Sequence, residues 1–192
     1  MKYLIIYAHP NPKSFCSGIL STVENELKSG GQEVVTRELY KLNFNPVLGA
    51  EDFIGLKNGK PAKDVKIEHE YIVWADCLIY IYPLWWLSMP AIFKGYIDRV
   101  HSLGFAYNYG NAGPVPLLKK KALVFTTQGG IVLDYEKTGL YAAMKISVDD
   151  SVFGFCGIKV LEHKYFSAVP YVDESKRKEY LEEVKQVVRS YR

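Results

Sequence analysis

Three stretches of this chain are nearly continuous in apolar residues: residues 2–8 (KYLIIYA), 77–82 (CLIYIY) and 122–127 (ALVFTT). A strand with one wet face alternates apolar and polar side chains, whereas a strand covered on both faces does not. These runs therefore read as buried strands of a parallel sheet. Residues 33–39, with alternation, and residues 158–166 read as two more strands.

The segments between them carry helical spacing. Ile19, Leu20, Val23 and Leu27 form one apolar stripe, with Ser14 or a neighbour as its cap and Gly30-Gly31 as its stop. Ile92, Phe93, Tyr96, Ile97 and Val100 form a second, with Pro90 near its first turn. Tyr180, Leu181, Val184, Val187, Val188 and Tyr191 form a terminal helix that starts near Asp173. Further helices are expected at residues 64–75 and 140–152. Five alternations of strand and helix predict an α/β, doubly wound, five-stranded parallel sheet of order 2-1-3-4-5 with helices on both faces. Residues 1–192 fit a single domain. Such a sheet places its site at the carboxyl ends of the strands, where the order reverses between strands one and three. The connections at 43–62 and 104–118 exceed ordinary loop lengths, which marks them as functional or interfacial.

Composition removes several classes of function. The net charge of +3, from 24 basic and 21 acidic residues, is too mild for a nucleic-acid binder, and no basic stripe appears. The triplet Lys119-Lys120-Lys121 reads as a solvated strand entry. Cys16, Cys77 and Cys156 are odd in number and far apart, without a C-x-x-C, and the opening apolar run is too short for a signal or a membrane span. A reduced, cytoplasmic protein without membrane insertion is expected. His9, His69, His101 and His163 show no metal-ligand spacing.

Three strand ends carry the chemistry. After strand one comes HPNPKSFCS, and no acidic residue follows until Glu24. A helix N-terminus without carboxylates attracts an anion such as a phosphate. His9, Ser14 and Ser17 add donors. After strand three comes YPLWWLSMP, with Trp85 and Trp86 in what should be a wet connection. After strand four comes Thr126-Thr127-Gln128-Gly129-Gly130, whose glycines let backbone approach a ligand closely. No P-loop or G-x-G-x-x-G is present. An anion loop, an aromatic wall and a glycine-rich edge on one rim fit a phosphate tail joined to a flat heteroaromatic ring, and flavin is the economical choice.

The chain resembles the flavodoxin-like NAD(P)H:quinone oxidoreductase family. The matching pieces run through most of its length: Ala8-His9-Pro10 with Ser14-Phe15, Leu42-Asn43-Phe44-Asn45-Pro46, Pro83-Leu84-Trp85-Trp86, and Pro90-Ala91-Ile92-Phe93-Lys94-Gly95. Phe105-Ala106-Tyr107-Asn108-Tyr109, Thr126-Thr127 with Gly129-Gly130, and Phe155-Cys156-Gly157 complete them.

The resemblance implies a flavodoxin-like fold and a homodimer with its flavins at the subunit interface. FAD is the expected cofactor, with FMN as the alternative, NADH or NADPH as co-substrate, and a quinone-like small molecule as acceptor. By the same match, His9, Ser14, Phe15, Cys16 and Ser17 hold the flavin phosphates, with Cys16 where the family has asparagine. Pro83, Leu84, Trp85, Trp86 and Leu87 lie along the ring. Trp85 replaces a glutamine, and Leu87 an aromatic. Thr126, Thr127, Gly129 and Gly130 form the flavin-edge loop, in which Gln128 looks like an insertion. Trp86, Tyr107, Tyr109 and Phe155 are the substrate-pocket candidates, the two tyrosines offered to the partner's site. Tyr135 matches a phenol beside the ring's pyrimidine edge, where it donates to developing negative charge. Tyr141 aligns with a family histidine and is the second catalytic candidate. An electron carrier of the flavodoxin type and a regulatory subunit of a potassium-efflux transporter stand as alternatives.

Overall fold

The computed structural model describes residues 1–130 and 132–192. Five strands, β1 (Lys2–Tyr7), β2 (Glu33–Glu38), β3 (Cys77–Pro83), β6 (Lys120–Thr127) and β7 (Ile158–Phe166), form one parallel sheet in the order β2-β1-β3-β6-β7. Counted among the sheet strands alone, this is the expected 2-1-3-4-5. Helices α1 (Phe15–Ser29) and α7 (Glu174–Tyr191) cover one face, and α3 (Lys63–Trp74) and α4 (Ala91–Val100) cover the other.

The period of two along each strand sorts the core into two layers. Tyr3, Ile5 and Tyr7 of β1 join Ile79, Ile81, Leu123 and Phe125 against Ile19, Val23, Leu27 and Val184. Leu4 and Ile6 join Leu78, Tyr80, Tyr82 and Val124 against Ile72, Phe93, Tyr96 and Val100. Nearly every one of these side chains is inaccessible to water. Burial of each contributes on the order of 1.5–3 kcal/mol, which explains the continuous apolar runs.

The long connections hold structure that the apolar pattern does not announce. The first contains α2 (Ala50–Lys57). The second contains an antiparallel hairpin, β4 (Tyr107–Gly110) with β5 (Gly113–Pro116). The helix expected at 140–152 is divided into α6 (Leu140–Lys145) and a π-helical segment, Ile146–Phe153, after α5 (Val132–Lys137). The lysine triplet is also less uniform than expected. Lys120 donates its ammonium to the Val73 and Ala75 carbonyls at the end of α3, where a cation satisfies carbonyls that a helix terminus leaves free.

The first connection is pinned to α4 by buried Arg99. Its guanidinium donates to Asp52 (3.0 Å), Asp64 (2.5 Å) and the Asn45 carbonyl (2.8 Å). Arg99 hydrogen bonds hold the Asp64 carboxyl below the usual carboxylate range. Next to this clamp, α4 presses its backbone on the loop at Gly95, where a Cβ would run into the Pro46 carbonyl oxygen. Alanine normally improves a helix interior. Here Gly95→Ala should destabilise the protein by about 1–3 kcal/mol through overpacking. Chemical denaturation checks this, and an unchanged or raised midpoint would show that the loop does not seat on α4.

Candidate functional site

Parallel strands end on one rim, and the loops after β1, β3 and β6 converge there. Two adjoining cavities result. One, of about 200 Å³, is bounded by His9, Ser14, Phe15, Cys16, Trp85 and Thr127. The other, of about 430 Å³, is bounded by Trp86, Leu87, Tyr135 and Leu140. Leu84, Gln128 and Gly129 line both, so the cavities share a floor.

The smaller cavity opens on the start of α1. Ser14 caps that helix, its Oγ accepting the Ser17 N–H at 3.2 Å, and no acidic residue occupies the first turn. The N–H groups of Phe15 and Cys16 have no intrahelical acceptor, as at any helix start. His9 accepts the Asn11 N–H at Nδ1 (3.0 Å), and in that tautomer Nε2 carries the ring hydrogen. Burial lowers the His9 pKa, partly opposed by the Asn11 carbonyl, so the ring is a neutral donor near neutral pH. Cys16 lies 3.1 Å from the Thr127 hydroxyl. Burial pushes its thiol up to about 12, against the Thr127 hydrogen bond. It ties α1 to β6 as a neutral thiol, not a nucleophile. The arrangement suits the phosphates of an anionic ligand. Phe15 also packs edge-to-face on Phe166 and Tyr180.

The larger cavity is walled by the segment after β3. Leu84 continues the sheet ladder, its N–H donating to the Thr127 carbonyl at 2.7 Å. Trp85 and Ser88 then exchange two 3.1 Å backbone bonds, closing a turn on Trp86 and Leu87. Both central residues are left-handed, with φ of 54° and 59°. Trp86 is 99% exposed and Trp85 43%, so neither indole fills the core. Trp85 meets His9 edge-on, centroids 6.2 Å apart. A large exposed indole held in left-handed backbone is strain of the kind found at functional sites. Opposite it, the Tyr135 ring lies so close to Gly130 that a Cβ there would collide with it.

Several expected site residues are placed elsewhere. Thr126 is fully buried, with its hydroxyl 3.4 Å from His163 Nε2 and 3.3 Å from the Lys164 carbonyl. Neighbours on a strand face opposite ways, so Thr127 lines the rim and Thr126 does not. Ser17, whose backbone N–H donates to Ser14 Oγ, is not among the residues lining either cavity. Tyr141 stands one layer behind the larger cavity, its hydroxyl accepting from Gln128 Nε2 at 2.7 Å. Gln128, which the sequence reading set aside as an insertion, lines both cavities. Its place directly after the β6 apolar run was the available signal.

Tyr107, Tyr109 and Phe155 form a group of their own. Tyr107 stacks edge-on against Phe155 (4.9 Å) and Tyr109 (5.9 Å). They precede the starts of β6 and β7, at the amino ends of the sheet. Eight residues of β6 separate them from the rim, roughly 26 Å at the usual strand rise. Within one chain they cannot join the Trp86 cavity. Tyr109 (65%), Val115 (44%), Leu117 (40%) and Phe155 (37%) instead leave an exposed apolar surface of the kind that marks an interface.

The fold and rim define a flavodoxin-like protein, and a family model described as flavodoxin-like fold matches residues 1–188. The chain belongs to the flavodoxin-like NAD(P)H:quinone oxidoreductase family. It is 39% identical to an uncharacterized NAD(P)H oxidoreductase of Haemophilus influenzae, over 95% of this chain and 91% of the relative. It is 30% identical to NAD(P)H dehydrogenase [quinone] 1 of Rattus norvegicus, over 93% of this chain and 73% of the relative. The solved NAD(P)H:quinone oxidoreductase of Methanothermobacter marburgensis superposes with a TM-score of 0.91 at 31% identity, over 100% of this chain and 99% of that one.

The left-handed turn yields a stability test. A non-glycine residue in this conformation costs about 1–2 kcal/mol, and Leu87 is partly exposed. Leu87→Gly should therefore be neutral or stabilising by up to about 1 kcal/mol in denaturant titration, after glycine's own entropic cost. A clear loss of stability would show that the turn is not strained.

Proposed function

We propose that this protein is a flavin-dependent NAD(P)H:quinone oxidoreductase acting as a cytoplasmic homodimer, with residues 1–192 forming one flavin-binding domain. The observation that carries the reading is the paired rim cavity: one part suited to an anion, the other flat, apolar and walled by an exposed indole. The residues present fit a flavin. A helix start free of carboxylates and the neutral His9 would hold its phosphates. Thr127, Gln128 and Gly129 would bound one edge of its ring, with Trp86, Leu87 and Tyr135 around the larger cavity. FAD is favoured over FMN by the family match through residues 43–46 and 105–109.

Bound flavin would supply reversible hydride transfer, which side chains alone do not provide. The chain's own residues would position and screen. Trp86 and Leu87 would exclude water from the ring face. Tyr135, against Gly130, would offer a hydroxyl hydrogen where negative charge develops. Nicotinamide and quinone would use the same slot in turn. The sum is NAD(P)H plus a proton plus quinone giving NAD(P)⁺ and hydroquinone.

Tyr107, Tyr109 and Phe155 would complete the slot of a second copy. Their distance from their own rim and their exposure both support this, since a slot walled on one side leaves substrate in water. Among the described residues, no helix is long and apolar enough to cross a membrane.

Initial rates against both substrates test the reaction. Parallel double-reciprocal lines are expected for a shared slot, intersecting lines would contradict it, and a one-electron carrier would show no steady nicotinamide oxidation. Mixed dimers test the assembly. Trp86→Ala and Tyr109→Ala should each lose on the order of tenfold or more in quinone turnover, the scale for misplaced substrate. Co-refolded together, they should recover activity, because one of the two sites in each hybrid is then intact. No recovery from hybrids of confirmed composition would place Tyr109 outside the partner's slot.

A further inference from the structure

A cavity of about 240 Å³ lies beside the carboxyl end of α4 and shares no lining residue with the two rim cavities. Its walls are Leu56 of α2, Pro61 from the connection that follows, His69 of α3, and Ser102, Leu103 and Phe105 from the turn after α4. Among the described residues, no lysine, arginine, aspartate or glutamate lines it.

Two polar side chains on this wall lack partners. His69 Nε2 lies 2.8 Å from the Val100 carbonyl. A carbonyl oxygen only accepts, so Nε2 carries the ring hydrogen and Nδ1 keeps a lone pair. Burial lowers the His69 pKa, opposed by the Val100 hydrogen bond, so the ring is neutral near neutral pH. Phe105 stacks on it, centroids 3.5 Å apart and planes 13° apart, which holds the imidazole in place. Nδ1 has no hydrogen-bond partner among the described residues, yet it stays accessible, whereas both nitrogens of His101 are sealed and unpartnered. Ser102 is 5% exposed, and its hydroxyl also has no partner. Buried polar groups are nearly always paired, so one left unpaired calls for a ligand or an ordered water.

We propose that this cavity binds a small uncharged aromatic molecule bearing a hydroxyl, a monocyclic phenol in kind, which donates to His69 Nδ1 and rests on Leu56, Pro61, Leu103 and Phe105. The site lies outside the flavin reading and holds or fails without it. Charge, size and chemistry each narrow the occupant. An ion here would lose its water and find no countercharge. An apolar cavity of about 150 Å³ holds benzene, so this one has room for a ring with a substituent, but it falls short of the roughly 300 Å³ at which pockets for larger ligands begin. A purely apolar molecule would leave Nδ1 unpaired, and water alone would leave the apolar wall wet. A phenol answers both.

The turn that walls the cavity also begins the hairpin. Phe105 and Ala106 donate their N–H groups to the Ser102 carbonyl at 3.1 and 2.9 Å, and Gly104 donates to the Tyr107 carbonyl at 2.8 Å. A ring seated against Leu103 and Phe105 therefore steadies the segment that leads into Tyr107 and Tyr109.

The test titrates the purified protein, labelled with ¹⁵N-histidine, with phenol. The His69 Nδ1 resonance should move saturably, with a dissociation constant on the order of 1 mM or tighter for so small a ligand. No movement up to the solubility of phenol, or movement of other histidines alone, overturns the proposal and leaves the cavity to water. His69→Phe keeps a flat ring and removes the acceptor. With its melting temperature unchanged, it should bind phenol on the order of tenfold more weakly, the scale for an unpaired buried hydroxyl. Toluene, which needs no acceptor, should bind it as well as it binds the wild type. Equal phenol affinity in the two proteins overturns the proposal, and if the variant fails to fold, the wild-type spectrum decides. Exchange of the Gly104 N–H with solvent should slow as the site fills, and an unchanged rate at saturation contradicts the link to the hairpin.

Discussion

The common polarity of the five strands governs the rest of this structure. Because β1, β3 and β6 run parallel and adjacent, their carboxyl ends open on one rim, and three unrelated loops meet there. An antiparallel sheet would have scattered them. The rim inherits a helix start free of carboxylates from the loop after β1, an indole from the turn after β3, and a glycine-bearing edge from the end of β6. The amino ends open on the opposite side, which sends Tyr107, Tyr109 and Phe155 away from the slot they would otherwise line. One chain thus presents a rim cavity and an exposed aromatic surface facing opposite ways, which the proposed two-fold pair would bring together.

Local features serve that arrangement at some cost in stability. Two residues in left-handed backbone hold Trp86 clear of the core. Gly95 is needed because the Pro46 backbone occupies the space of a Cβ, whereas a Cβ at Gly130 would require the far end of the Tyr135 side chain to shift. Arg99, buried with Asp52 and also paired with the exposed Asp64 of α3, fastens the 43–62 connection. A buried ion pair such as Arg99–Asp52 fixes position more than it adds net stability.

The parts of the fold that depend on local pattern were legible in the sequence. The apolar runs of β1, β3 and β6 and the stripes on α1, α4 and α7 announce themselves because burial on both faces, or on one helical face, dictates residue type. The hairpin Tyr107–Pro116 escaped notice because its strands are short, exposed and rich in Gly and Pro. The π-helical segment escaped because its residues also fit an α-helical spacing. At the site, the three loops could be named but side-chain direction could not, so Thr126 was grouped with Thr127 although strand alternation separates them. Gln128 was passed over because it interrupts a family pattern.

The central claim is that a flavin ring sits on this rim with its phosphates at the start of α1. Heating the purified protein and analysing the released small molecules by absorbance and mass tests it most directly. The account predicts about one FAD, or failing that one FMN, per chain, restored by incubation with the nucleotide. Colourless protein that remains empty in the presence of either would contradict it.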